Sequence, residues 1–149
     1  MALRALLLLR APNAVATARL ALFRDDPDLD PVVDPRWKNP RPWTDWRLKL
    51  VLWPALEHCP GADAEKLCRD YLALSDAEAR KIGPLQLEEA AKALLVISPT
   101  KETALDLLKH RLQVVRGRAI LDCLERRADA WARTALEQAA PHALKYRLE

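Results

Sequence analysis

The sequence predicts an all-α protein, an irregular helical bundle or a short stack of antiparallel helical hairpins, with an extended Pro/Trp-rich N-terminal arm. Three observations predict it. Apolar residues recur at three- and four-residue spacing from Thr44 onward, as a helix with one buried face requires. Start and stop signals, above all Ser75-Asp76-Ala77-Glu78, Gly83-Pro84 and Ser98-Pro99, interrupt that spacing at short intervals. Only three of the 149 residues are Gly, while 50% are hydrophobic and 30% charged, the balance of a chain that folds around a core. A chain of this length builds such a core without disulfides or a structural metal.

Residues 1–24 form the first unit. They contain Arg4, Arg10, Arg19 and Arg24, many Ala and Leu, and no acidic residue, whereas residues 25–34 hold five Asp and no base. An Arg-bearing, acid-free, amphipathic start resembles a mitochondrial targeting segment, here expected to be retained, although it lacks Ser; the alternative is a cationic surface helix. A secretory signal fits less well, because Arg10 interrupts the apolar run. No window of 18 apolar residues exists, so no membrane-spanning helix is expected.

Residues 25–43 form the second unit, an extended arm. Pro27, Pro31, Pro35, Pro40 and Pro42 each remove a backbone donor and bias the preceding residue toward extended geometry. Four of the five tryptophans, Trp37, Trp43, Trp46 and Trp53, fall within 17 residues in or just after this arm. Exposed indoles are costly, so the arm is expected either to fold back on its own helices or to lie along a partner. These four, with Arg4 and Arg10, are the candidate partner-binding residues.

Residues 44–149 form the helical unit. Thr44 caps a helix expected to kink or restart at Pro54, Pro60-Gly61 turns the chain, and Asp63 caps a helix over 64–74. Ser75 to Glu78 is a capping box, and the short helix it starts ends at Gly83-Pro84. Leu87, Ala90, Ala91, Leu94 and Leu95 mark one buried face. Ser98-Pro99 starts the next helix, with a stripe at Leu105, Leu108, Leu112 and Val115. The last long helix carries Ile120, Leu121, Leu124, Ala128, Trp131 and Ala135 inward and ends near Pro141.

The residues that carry chemistry are sparse and scattered. His58, His110 and His142 show no ligand spacing for zinc, so no metal is expected. Asp26, Asp28 and Asp30 imitate the start of a calcium loop, but Pro31 stands where Gly is needed and Trp37 where Glu is needed. Cys59, Cys68 and Cys123 are odd in number and read as reduced thiols, with a Cys59–Cys68 pairing left open. His58 and Cys59 are neighbours in sequence and so do not face one another on a helix. Three isolated glycines provide no phosphate loop, and no cofactor or catalytic activity is expected.

The 24 basic and 21 acidic residues are interleaved rather than clustered, which disfavours a nucleic-acid surface. The charges at Arg116, Arg118, Asp122, Glu125, Arg126, Arg127 and Asp129 read as a solvated face. Together these features lead to the expectation of a non-catalytic accessory subunit of a larger mitochondrial assembly, on the matrix side or at the inner membrane. A respiratory-chain complex or ATP synthase suits the modest charge better than an RNA-bound ribosome. The alternative is a cytoplasmic helical adaptor for a peptide or RNA.

Overall fold

The computed structural model describes residues 2–23 and 46–145, and the regular elements among them are all α-helices. They are α1 (Ala2–Leu8), α2 (Ala14–Phe23), α3 (Trp46–Leu56), α4 (Ala62–Leu72), α5 (Asp76–Ile82), α6 (Pro84–Ile97), α7 (Lys101–Leu108), α8 (Gln113–Glu125) and α9 (Ala130–Lys145). The chain is an all-α bundle. Residues 25–43, expected to form the extended arm, lie outside the described residues.

Helix α6 is the central element and packs against α3, α4, α5, α7 and α8. Its stripe Leu87, Ala90, Ala91, Leu94 and Leu95 is buried as the spacing predicts, and Ala93 and Gln86 are buried beside it. Three alanines among these positions let neighbouring helix backbones approach closely. The local signals around α5 also act as read. Ser75 Oγ accepts the Glu78 amide at 3.3 Å, and the Glu78 carboxylate accepts the Ser75 amide at 2.9 Å. Gly83 then adopts φ 87, a left-handed conformation open to Gly, and Pro84 opens α6.

The packing differs from a stack of sequential hairpins. Strong contacts join helices two apart in the chain, α1 with α3, α2 with α4, α4 with α6, α6 with α8 and α7 with α9. The Pro60-Gly61 turn directs α4 away from α3 and onto α6 and α2.

Several boundaries are corrected. Helix α3 runs through Pro54 to Leu56, and α9 runs through Pro141 to Lys145. Both prolines are exposed, where water can serve the carbonyl that each leaves unpaired. Gly61 rather than Asp63 is the cap of α4, and Asp63 sits in its first turn. Ser98 closes α6, and Thr100 caps α7 by accepting the Thr103 amide at 3.1 Å.

The expected Leu105–Val115 stripe belongs to two helices, because tertiary bonds open the chain between Leu108 and Gln113. The His110 ring bonds the Leu72 carbonyl at 3.1 Å, and Arg111 reaches the Leu74 carbonyl and Asp76. The freed carbonyls of His110 and Arg111 accept Arg116 Nη1 at 2.7 and 2.9 Å. A second break, closed by the Asp129 amide on the Arg126 carbonyl at 2.8 Å, separates α8 from α9.

Trp53 is fully buried and joins three helices. Its indole N–H donates to Gln86 Oε1 at 2.8 Å, and its ring meets Tyr71 edge-on at 4.8 Å. Tyr71 in turn meets Phe23 at 5.5 Å. Trp53→Ala removes the largest buried side chain and the Gln86 bond together. It should cost about 3–5 kcal/mol, read from the urea unfolding midpoint.

Candidate functional site on the outward face of α8

The α7–α8 turn positions the site. Arg111, held on Asp76 and the Leu74 carbonyl, ties the start of α8 to the start of α5, and His110 ties it to the end of α4. From this fixed origin α8 rolls Val115, Ala119, Asp122 and Cys123 into the core. Successive residues rotate by about 100° around a helix, so Gln113, Gly117, Ile120, Leu121 and Leu124 lie on the opposite side. Leu121 is 56% exposed, Leu124 49% and Ile120 37%.

These leucines were expected in the core, and the structure reverses the helix. The small stripe Val115, Ala119, Cys123 is buried where α8 packs on α6, α7 and α9, and it takes the inner side that the larger leucines were expected to fill. Asp122, expected on a solvated face, is buried and held by Arg118 through bonds of 2.6 and 3.2 Å. The bond with Asp122 and the coulombic pull of its carboxylate, with that of Glu89 and Glu125, raise the Arg118 pKa against the desolvation that opposes it. Arg118 therefore stays charged.

Gly117 stands in the middle of the exposed face. A Cβ there would meet nothing within 4 Å, so no internal contact demands glycine, although one inside a helix costs about 1 kcal/mol relative to Ala. Above it lies a surface hollow of about 570 Å³ bordered by Glu88, Gln113, Val114, Arg118 and Leu121. A second hollow of about 480 Å³, bordered by Leu87, Pro84 and Arg111, meets the first at Val114. The first lies on the α6–α8 seam, and the second continues it between α5, the start of α6 and the α7–α8 turn.

Two of the partner-binding residues expected from sequence, Arg4 and Arg10, are exposed. Trp53 is corrected to a core residue, because its indole is enclosed by Tyr71 and Gln86. Trp37, Trp43 and the side chain of Trp46 lie outside the described residues. Sequence reading missed Gly117, Leu121 and Leu124 as surface residues. The signal that finds them is the Val115, Ala119, Cys123 stripe, which claims the inner side of α8 with small residues.

The three cysteines are free. Burial raises the thiol pKa of Cys68 to about 12 and of Cys123 to about 11, and that of Cys59 also rises. Cys59 donates its thiol to the Leu7 carbonyl at 2.9 Å. None of these is an activated nucleophile. Burial also raises the Glu57 pKa, with Lys92 opposing and Glu89 adding, but Glu57 borders neither hollow. Among the described residues no group of three or more His, Cys, Asp or Glu gathers as a metal site.

No family model, curated protein or solved structure matches the chain.

The His110 ring is neutral in the fold, donating from Nε2 to Leu72 while Nδ1 accepts the Leu112 amide at 3.2 Å. Desolvation lowers its pKa, so on acidification the unfolded chain takes the proton first and stability falls as pH drops below about 6.5. Urea midpoints at pH 7.5 and 5.5 should therefore differ by less in His110→Gln than in the parent chain.

Proposed function

We propose that this protein is a non-catalytic accessory subunit of a larger, membrane-associated mitochondrial complex of the respiratory-chain or ATP-synthase kind, and that it acts through protein–protein contacts. The observation that carries the contact role is the outward face of α8. Ile120, Leu121 and Leu124 form an exposed apolar ridge beside a glycine notch that nothing inside the fold requires. The occupant that fits is a helix of another subunit, laid along the α6–α8 seam with an aliphatic side chain seated over Gly117. Small residues admit a helix backbone closely, and exposed apolar patches on folded chains mark such interfaces. The flanking Glu88, Arg118 and Glu125 provide the polar rim usual around such a core.

The setting rests on residues 1–24. Their Arg-bearing, acid-free composition supports a mitochondrial address. Leu7, Ala14, Ala18 and Leu22 enter the core, which supports an address that stays on the folded chain. A cytoplasmic adaptor for a peptide or RNA is the second reading; the α6–α8 seam favours its peptide form.

Two outcomes are expected. Tagged Leu121→Asp/Leu124→Asp, purified under native conditions, should lose its co-purifying subunits and keep the parent's melting temperature within a few degrees, because both positions are exposed. A parent chain that purifies as a stable monomer without partners overturns the subunit reading. The full chain with a C-terminal fluorescent fusion should concentrate in mitochondria, and Arg4→Gln/Arg10→Gln should shift it toward the cytosol. Diffuse fluorescence from the parent fusion overturns the address.

A further inference from the structure

The α1–α2 hairpin shows a second unpartnered surface of different chemistry. Helix α1 is apolar on nearly every side, and Leu7 with Leu3 settles it on the rest of the fold. That leaves Leu6, Leu8 and Leu9 exposed, Leu9 at 78%, and α2 adds Leu20 at 70%. Arg4 and Arg10 are exposed among them. Arg19 is not part of this free charge, because it pairs with Asp70 at 2.6 Å and lies over the Phe23 ring at 5.0 Å. Residues 1–24 contain no carboxylate. Asp63 borders a hollow of about 310 Å³ together with Arg10, and no ion pair joins the two among the described residues.

We propose that the α1–α2 hairpin is a docking surface for an anionic lipid leaflet, with Leu6, Leu8, Leu9 and Leu20 entering the acyl boundary and Arg4 and Arg10 meeting lipid phosphates. Charge complementarity selects this occupant. Leucines accompanied by arginine alone match the boundary of an anionic membrane, where apolar groups leave water and long cationic side chains reach up to the headgroups. A protein groove would gain as much from the leucines, but nothing in it need be anionic. The hairpin is also firmly held. The Leu7 carbonyl accepts the Cys59 thiol, and Leu7, Ala14, Ala18 and Leu22 are buried, so the exposed leucines project from a fixed base. No helix among the described residues is long and apolar enough to cross a membrane, so the contact is with the surface alone. This inference deepens the membrane-associated part of the function proposed above and rests on it for its setting.

The test is sedimentation of the purified full chain with phosphatidylcholine vesicles containing 0 or about 30% phosphatidylglycerol at low salt, a probe of the anionic headgroup. Binding is expected only to the anionic vesicles. Arg4→Gln and Arg10→Gln should each weaken it by about fivefold, and Leu9→Gln/Leu20→Gln by roughly tenfold or more. Circular dichroism and melting of each variant should match the parent, since these side chains are exposed; if the leucine variant fails to fold, the arginine variants decide. No binding, or equal binding to neutral vesicles, overturns the proposal. Loss of co-purifying subunits from Leu9→Gln/Leu20→Gln without vesicle binding by the parent also overturns it and makes the occupant a protein. Because the vesicle assay contains no other subunit, its failure leaves the α8 interface standing, and failure of the α8 test leaves the lipid contact standing.

Discussion

The bond from the Trp53 indole to Gln86 is the constraint on which the bundle depends. It joins α3 to the central helix α6 in a place closed to water, where a lost partner would leave a buried polar group unserved. Tyr71 and then Phe23 follow outward from it in edge-on contacts, so α4 and α2 take their places from the same point. The backbones of α3 and α4 scarcely approach each other, so the Trp53–Tyr71 ring contact supplies the junction that the Pro60-Gly61 turn alone does not.

Size distribution governs the rest. Ala90, Ala91 and Ala93 are buried on α6 and Val115, Ala119 and Cys123 are buried on α8, so small side chains dominate the buried sides of two helices that pack on each other. The leucines of α8 are thereby displaced to the outside. The surface that supports a contact role thus arises from a core that prefers small residues, and half-buried Arg118, paired with buried Asp122, fixes the edge of that surface with charge. The N-terminal hairpin obeys a related logic. One side of each short helix is spent on the core, and the remaining leucines and arginines face outward.

The fold class and the local punctuation were legible in the sequence because they depend on short-range chemistry. The Ser75–Glu78 box, Gly83-Pro84 and the α6 stripe need only neighbouring residues to be understood. The α7–α8 break was not legible, since His110, Arg111 and Arg116 open the chain through bonds to α4, α5 and to freed carbonyls rather than through a Gly or Pro. The phase of α8 was misread for a different reason. Hydrophobic size favours Leu121 and Leu124 as core, whereas the packing of α8 on α6, α7 and α9 buries the small Ala119 and Cys123 instead. Of the candidate partner-binding residues, Trp53 was read correctly as shielded and incorrectly as a contact, because a shielded indole is satisfied equally well from within.

The protonated thiols have a practical consequence. Maleimides and iodoacetamide attack thiolates, and at neutral pH Cys68 and Cys123 offer almost none, while Cys59 is occupied with the Leu7 carbonyl. A cysteine introduced at an exposed position would outcompete the two buried native sulfurs, Cys68 and Cys123. Replacing the half-exposed Cys59 alone therefore suits the sequence to attaching a single spin label or dye at a chosen point on either face, with the two buried cysteines left in place.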